Sequence, residues 1–272
     1  MQVVGREWKT FTNHGILQKN PRIASYVRRL DLNMGDTNGW LFDDPLFRET
    51  MELVTRTWTV GMKLAVSAFG WSNAFQFPYN RILETQFSKP FITPFITFLD
   101  LNFMRNVPVS LLAHCPYLVE LKLIRVTVEA IRPLNAIDID RSLRPRLRKF
   151  TFKSCGDTIR ILATGYIDFG YLQHLPISGC LSDELGDIEL ILNASSSSLE
   201  HLQLDFDQLE LGDRLDLYDL GKIPNLTFLS ISAVDLDEDS FIDVCNLLRT
   251  IPSERTKIKT IAVGFRGIWT IP

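Results

Sequence analysis

The sequence predicts an α/β solenoid with short parallel strands on a concave face and irregular helices on the convex face. Three observations carry the prediction. A six-residue pattern, apolar-x-x-apolar-x-apolar, occurs seven times in series from residue 96 onward. Its copies are separated by steps of 22, 29, 25, 27, 27 and 32 residues, and several of the intervening segments have helical apolar spacing. The pattern alone is weak, since about a dozen matches arise by chance in a chain this rich in Leu, Ile, Val, Met and Phe. A series at nearly constant spacing is stronger, and most steps fall near the roughly 20–29 residues of leucine-rich repeats.

Taken in order, residues 1–20 read as a helical remnant preceding the first repeat, whose strand is Val27/Leu30/Leu32. Residues 33–95 are degenerate: Leu64-Ala65-Val66 is the remnant of one strand, and about two longer repeats fill the gap. The regular series is Ile96/Leu99/Leu101, Leu118/Leu121/Leu123, Leu147/Phe150/Phe152, Leu172/Leu175/Ile177, Leu199/Leu202/Leu204, Leu226/Leu229/Ile231 and Ile258/Ile261/Val263. Each core makes a strand whose side chains alternate inward and outward. One repeat cannot bury its apolar side alone, so neighbours must stack into one parallel sheet in chain order. Residues 109–115, 184–192 and 239–248 have the spacing of returning helices, with Asp183 and Asp237 as helix starts and Pro116, Ser195 to Ser198 and Pro252 as stops. Three positions after each strand's last apolar residue, where such repeats place Asn or Cys, stand Met104, Val126, Cys155, Cys180, Asp207, Val234 and Arg266. Cys155 and Cys180 therefore read as buried thiols in the turn.

A chain of 272 residues, 46% hydrophobic and 22% charged, can bury a substantial core, and no Pro/Gly/Ser-rich linker divides it. A single irregular domain over 1–272 is the expectation. Residues 1–11 include Arg6, Glu7 and Lys9 and lack the apolar core of a secretory signal, and no uncharged run is long enough to span a bilayer. With four scattered cysteines and no C-x-x-C pair, this predicts a reduced, cytoplasmic or nuclear protein. The glycosylation sequons at Asn193 and Asn225 then have no use. The net charge of −3 hides a polarity: residues 1–140 carry +2, residues 141–160 carry +6 and residues 161–272 carry −11. Such a distribution bears on partner choice.

Several phrases carry a family resemblance. They are Ile16-Leu-Gln-Lys-Asn-Pro-Arg-Ile-Ala-Ser-Tyr-Val-Arg-Arg-Leu-Asp-Leu32, Phe98-Leu-Asp-Leu101 with Val109-Ser-Leu-Leu-Ala-His-Cys-Pro-Tyr-Leu-Val-Glu-Leu-Lys-Leu123, and Ser195-Ser-Ser-Ser-Leu-Glu-His-Leu-Gln-Leu204. In these the chain resembles the degenerate leucine-rich-repeat region of F-box-like proteins of mushroom-forming fungi, over roughly residues 11–265. The resemblance implies that the repeats hold a protein substrate for a cullin-based ubiquitin ligase. In the family an F-box docks on the ligase's adaptor subunit; here the first residues already resemble the segment after the F-box, and no Leu-Pro-x-Glu-like opening is seen.

Chemical motifs offer no rival of equal weight. His174 and His201 occupy the same place in successive repeats and should lie side by side at about the 4.8 Å strand spacing, where a metal would need a third ligand. Asp235-Leu-Asp-Glu-Asp239 lacks the glycine and terminal glutamate of a calcium loop, and 31–40 fails the same test. No nucleophile elbow, phosphate loop, dinucleotide fingerprint or zinc spacing is present. The basic run Arg141 to Lys149 contains the strand-core residue Leu147 and reads as a solvated loop entering a strand, while the acidic total disfavours nucleic acid.

The expectation is a protein-binding module, without catalytic residues, cofactor, metal, membrane anchor or small-molecule substrate. A non-catalytic scaffolding repeat or decayed paralogue is the alternative, and an enzyme without a local motif the third. Strand alternation puts Glu120, Lys122, Lys149, Thr151, Lys153, His174, His201, Gln203, Asp205, Phe228 and Ser230 on the outward concave face. Lys122, Lys149 and Lys153 should form a basic patch for a partner with acidic groups facing the middle repeats, and Phe228 an apolar anchor.

Overall fold

Alternating residues in the repeated segments do form strands, and the strands pair in parallel. The computed structural model describes residues 2–5, 15–34, 44–68, 77–78, 83–129, 144–178, 185–206, 218–233, 238–252 and 257–265. The chain is mixed α/β and divides into two compact units, Met1–Pro145 and Arg146–Pro272.

In the first unit the strands β1 (Gln2–Gly5), β2 (Arg29–Met34), β3 (Met62–Ala68), β4 (Ile96–Asn102) and β5 (Glu120–Ile124) pair in parallel and in chain order. Register aligns the core residues into columns. Leu30, Leu64, Leu99 and Leu121 form one column, and Leu32, Val66, Leu101 and Leu123 the next; all eight are buried. Leu64-Ala-Val66 is thus a full strand, and the gap holds two longer repeats of 34 and 35 residues between Leu30, Leu64 and Leu99. The segment 1–20, expected as a helical remnant, is described at residues 2–5 and 15–20 only. Residues 2–5 are a strand paired with Arg29 to Leu32, and residues 15–19 are helical. Gln2-Val-Val-Gly5 is rich in β-branched residues and continues the same ladder.

The returning segments of this unit are not all leucine-patterned. Helix α1 (Pro45–Thr55) starts at Asp44, whose side chain accepts the Leu46 N–H at 2.9 Å, with Pro45 in the first turn where its missing N–H costs nothing. It buries Phe47, Met51 and Val54. Phe47 meets Phe87 at 5.6 Å, and Phe87 meets Phe91 at 6.5 Å, within a wide-turn helix over Leu83–Ile92 that contains Pro90. Aromatic packing fills the space that leucines fill in shorter repeats. Helix α2 (Val109–Ala113) is buried throughout, and the Cys115 thiol after it donates to the Leu111 carbonyl at 3.1 Å. Burial pushes that thiol up to about 12.

The second unit repeats the arrangement with β6 (Lys149–Lys153), β7 (His174–Ser178), β8 (His201–Phe206), β9 (Phe228–Ala233) and β10 (Thr260–Phe265), parallel and in chain order. Leu175, Leu202, Leu229 and Ile261 align, as do Ile177, Leu204, Ile231 and Val263. Among the described residues no further strand follows β10, and Ile261 and Val263 stay 48% and 41% exposed where their column-mates are buried. Helices α3 (Thr158–Ala163), α4 (Leu185–Ser195) and α5 (Glu238–Arg249) lie between strands. The latter two match the expected helices, while the helix-start residues Asp183 and Asp237 lie outside the described residues, as does Cys180.

Two recurring local devices set the strands. The residue after β4, β5 and β6 adopts positive φ: Phe103 at 58°, Arg125 at 51° and Ser154 at 50°. That turn drives the next residue inward, so Met104, Val126 and Cys155 are all buried, and the Arg125 guanidinium lies 5.5 Å from the centre of the Phe103 ring. Upstream, Asp168 and Asp219 each cap a single helical turn through Gly170 and Gly221, their carboxylates accepting the glycine N–H at 2.9 and 3.0 Å. A Cβ on Gly221 would stand 2.8 Å from the Thr250 carbonyl oxygen and 2.9 Å from Asp219 Oδ1, whereas one on Gly170 would meet only Asp168 Oδ1 at 3.1 Å.

Three outcomes follow from this packing. Leu121→Ala, Leu202→Ala and Leu229→Ala should each cost about 2–5 kcal/mol in denaturant unfolding, because each removes a buried side chain from a column that cannot collapse independently. Gly221→Ala should destabilise by about 1–3 kcal/mol and Gly170→Ala by clearly less, since only the first faces a backbone atom. Cys115 is held protonated in the fold from an ordinary value of 9.0 up to about 12. Its contribution is complete below pH 9.0 and is lost as pH rises towards 12, because only the unfolded chain releases the proton there. Unfolding followed between those values should show a falling limb that Cys115→Ala flattens by up to about 1.4 kcal/mol per pH unit.

Candidate protein-binding surface

The residues between the core columns of the sheet point the other way and form rows, which register fixes as firmly as it fixes the core. In the second unit one row is Lys149, His174, His201, Phe228 and Thr260. The next holds Pro176, Gln203, Ser230 and Ala262, and the third Ser178, Asp205, Ser232 and Gly264. Burial alternates accordingly: in β7 His174, Pro176 and Ser178 are half-buried, while Leu175 and Ile177 are buried. Backbone bonds just before the strands hold the first row in line, with Glu200 N–H donating to Gln173 O at 3.0 Å and Thr227 N–H to Glu200 O at 2.8 Å.

The first row is an aromatic ladder with a cation at its end. His174 and His201 stack at 4.4 Å between ring centres and 25° between planes, and His201 stacks on Phe228 at 5.6 Å and 27°. The side-by-side placement expected from the repeat is therefore present. Over these rings lies an open recess of about 170 Å³, lined also by Lys149, Pro176 and Gln203. Lys149 is exposed and Lys153 half-buried, and neither makes an ion pair among the described residues; Thr151 lies between them, half-buried, on the same strand face.

Asp205 occupies an outward position but is only 7% exposed, and Ser232 Oγ donates to its Oδ1 at 3.3 Å. It is not the open acidic contact expected from alternation, because short neighbours (Ser232 and Gly264 in its row) let the carboxylate settle against the sheet.

In the first unit, Glu120 and Lys122 are on the outward face and half-buried. The Lys122 charge is not available as expected: its Nζ lies 3.0 Å from Asp100 Oδ2, and Asn102 Nδ2 donates to the other carboxylate oxygen at 2.9 Å. Lys122 also belongs to a different compact unit from Lys149 and Lys153. Asp100 and Asp31 are each 7% exposed, and Arg29 Nε meets Asp31 Oδ1 at 2.7 Å. Sequence reasoning missed this face's aromatic centre, where Arg29 and Lys63 lie 5.8 and 5.7 Å from the centre of the Phe98 ring. Alternation around Leu64 and Leu99 would have exposed both Lys63 and Phe98.

Among the described residues no group of three His, Cys, Asp or Glu is placed to hold a metal ion, and no helix is long and apolar enough to cross a membrane. Compared with known proteins, the chain matches no protein-family model and no curated protein.

Proposed function

We propose that this protein is a leucine-rich-repeat-like solenoid, cytoplasmic or nuclear, that binds another protein through the outward face of its second unit and carries no catalytic site. The observation that carries the reading is the in-register row of Lys149, His174, His201 and Phe228: half-buried rings flanked by a cation without an ion pair among the described residues. Stacked rings present flat area at little conformational cost, and the cation gives orientation and faster encounter with an acidic partner. The partner chemistry is then an acidic side chain beside an apolar one. The resemblance to F-box-like repeats extends the reading to the substrate-binding arm of a ubiquitin-ligase adaptor. Cross-linking mass spectrometry in native extract tests that extension, by recovery of a cullin adaptor subunit together with this chain.

The face itself is tested by selecting displayed random peptides on the full chain. Enriched sequences should combine Asp or Glu with an apolar residue, and Lys149→Glu with Lys153→Glu should weaken them about tenfold or more while leaving the unfolding midpoint in place. Enriched peptides indifferent to that double reversal would reject this face, and a selection without binders would reject peptide recognition.

A further inference from the structure

We infer that the strand-entry rim of the first unit, where Tyr26, Val60, Phe95 and Tyr117 stand in a row, is a docking surface for an amphipathic helix with acidic flanks on a partner protein. The surface is separate from the outward face of the second unit and rests on different observations.

Each of these residues stands four places before an inward leucine, namely Leu30, Leu64, Leu99 and Leu121. Register aligns the leucines, so it also aligns the rim. Backbone bonds at the strand entries hold it there. Lys63 N–H donates to Arg28 O at 3.1 Å, the Gly61 and Met62 N–H groups to Phe95 O at 3.0 and 3.1 Å, and Val119 N–H to Thr97 O at 2.9 Å. Tyr26 is 68% exposed, and Val60 and Tyr117 are each 49% exposed. Phe95 is half-buried and set edge-on against the buried Trp58 at 6.0 Å. Single exposed apolar residues are ordinary on a protein surface, but one at the entry of each of four successive strands makes a continuous stripe, which marks a contact surface.

The same repeat position is filled differently in the second unit, where it holds Arg146, Tyr171, Ser198, Asn225 and Lys257. The Arg146 guanidinium covers the Tyr171 ring at 4.8 Å, Asn225 Nδ2 donates to Ser197 O at 2.6 Å, and Lys257 Nζ donates to Asn225 Oδ1 at 2.7 Å. Polar, internally bonded side chains thus serve equally well at the entry to a strand. The apolar stripe of the first unit is not a requirement of the repeat.

The charge beside the stripe defines the charge of the partner. Segments 20–29, 56–63, 93–98 and 114–120, which run into the four strands, contain Arg22, Arg28, Arg29, Arg56 and Lys63 against one acid, Glu120. Arg22, Arg28, Arg56 and Lys63 are exposed and meet no carboxylate among the described residues. Spacing defines the partner's shape. Neighbouring strands lie about 4.8 Å apart, so the four rows span about 14 Å. A helix with apolar residues at i, i+3, i+7 and i+10 presents them over about 15 Å, with a mean step of about 5 Å. An extended chain repeats on one side only every 6.8 Å or so and would match the two ends alone. The tyrosines then supply flat contact area at both ends of the row, and the cations steer the acidic flanks.

The probe is a labelled helix of three heptads with Leu at the a and d positions, Glu at e and g, whose like charges discourage self-pairing, and Ala and Gln at the rest. Fluorescence anisotropy should show saturable binding to the full chain that weakens at higher salt. Tyr26→Ala with Tyr117→Ala should weaken it about tenfold or more, with the unfolding midpoint in place because both rings are exposed. Arg28→Glu with Lys63→Glu should weaken it by a similar factor at low salt. Lys149→Glu with Lys153→Glu should leave it unchanged, which separates this rim from the face of the second unit. No binding, or binding indifferent to the tyrosine exchange, would overturn the inference. Equal binding of a version broken by two central prolines would overturn the helical assignment. Phosphatidylserine vesicles held through the tyrosines in place of the helix would reassign the rim to a membrane surface, and a tyrosine-dependent dimer in sedimentation would reassign it to a second copy of this chain.

Discussion

In-register parallel pairing is the constraint on which the other features depend. When Leu202 pairs with Leu229 and Leu204 with Ile231, the apolar residues of one strand stand beside those of the next, and the columns they form are buried. The same pairing fixes the other face. A shift of one residue would move every leucine outward and every histidine inward, so the cost of exposing the core columns also holds the imidazoles in their stack. The surface row is thus specified by residues it does not contain. Ile261 and Val263 show the dependence from the other side: they continue the columns, and with no described strand beyond β10 they remain exposed.

The regular strands were legible because leucine spacing and strand burial are two expressions of that constraint. Every first-position residue from Ile96 to Leu226 in the six-residue pattern is buried, as the stacking argument requires. The strand at Met62–Ala68 was harder to read for a local reason. The pattern asks for an apolar residue at position 61, and Gly61 stands there with φ at 122°, a conformation that L side chains rarely adopt. Met62 is buried in its place, and the pairing slips by one residue between Met62 and Lys63. An irregular entry concealed a regular strand, and with it the outward Lys63 beside Phe98. The segment at Leu83–Ile92 was illegible for a different reason, since its buried apolar residues are Phe87, Phe91 and Ile92 and it carries Pro90, which breaks ordinary helical hydrogen bonding.

At the candidate site, position was legible and availability was not. Alternation assigned His174, His201, Gln203, Phe228 and Ser230 to one face, and the register places them there. It could not say which charges are satisfied. Lys122 and Lys149 look alike in sequence, each at an outward strand position, yet Lys122 meets a carboxylate at 3.0 Å and Lys149 meets none among the described residues. The difference lies in the residue across the strand pair. Asp100 faces Lys122, whereas His174 faces Lys149.

That contrast gives the two faces different electrostatic characters. In the first unit, Asp31 and Asp100 are nearly covered and each holds a cation, so much of the charge is internally neutralised and fixed in orientation. Removing one partner there would strand a poorly hydrated carboxylate, which ties those ion pairs to the integrity of the sheet. In the second unit, Lys149 stands instead at the end of a row of stacked rings, His174, His201 and Phe228. Lys149 is exposed and meets no carboxylate among the described residues, so its charge is held in water and not against the sheet. The row is therefore aligned from beneath, by the pairing that stacks the leucine columns, and an exchange at Lys149 leaves that packing in place.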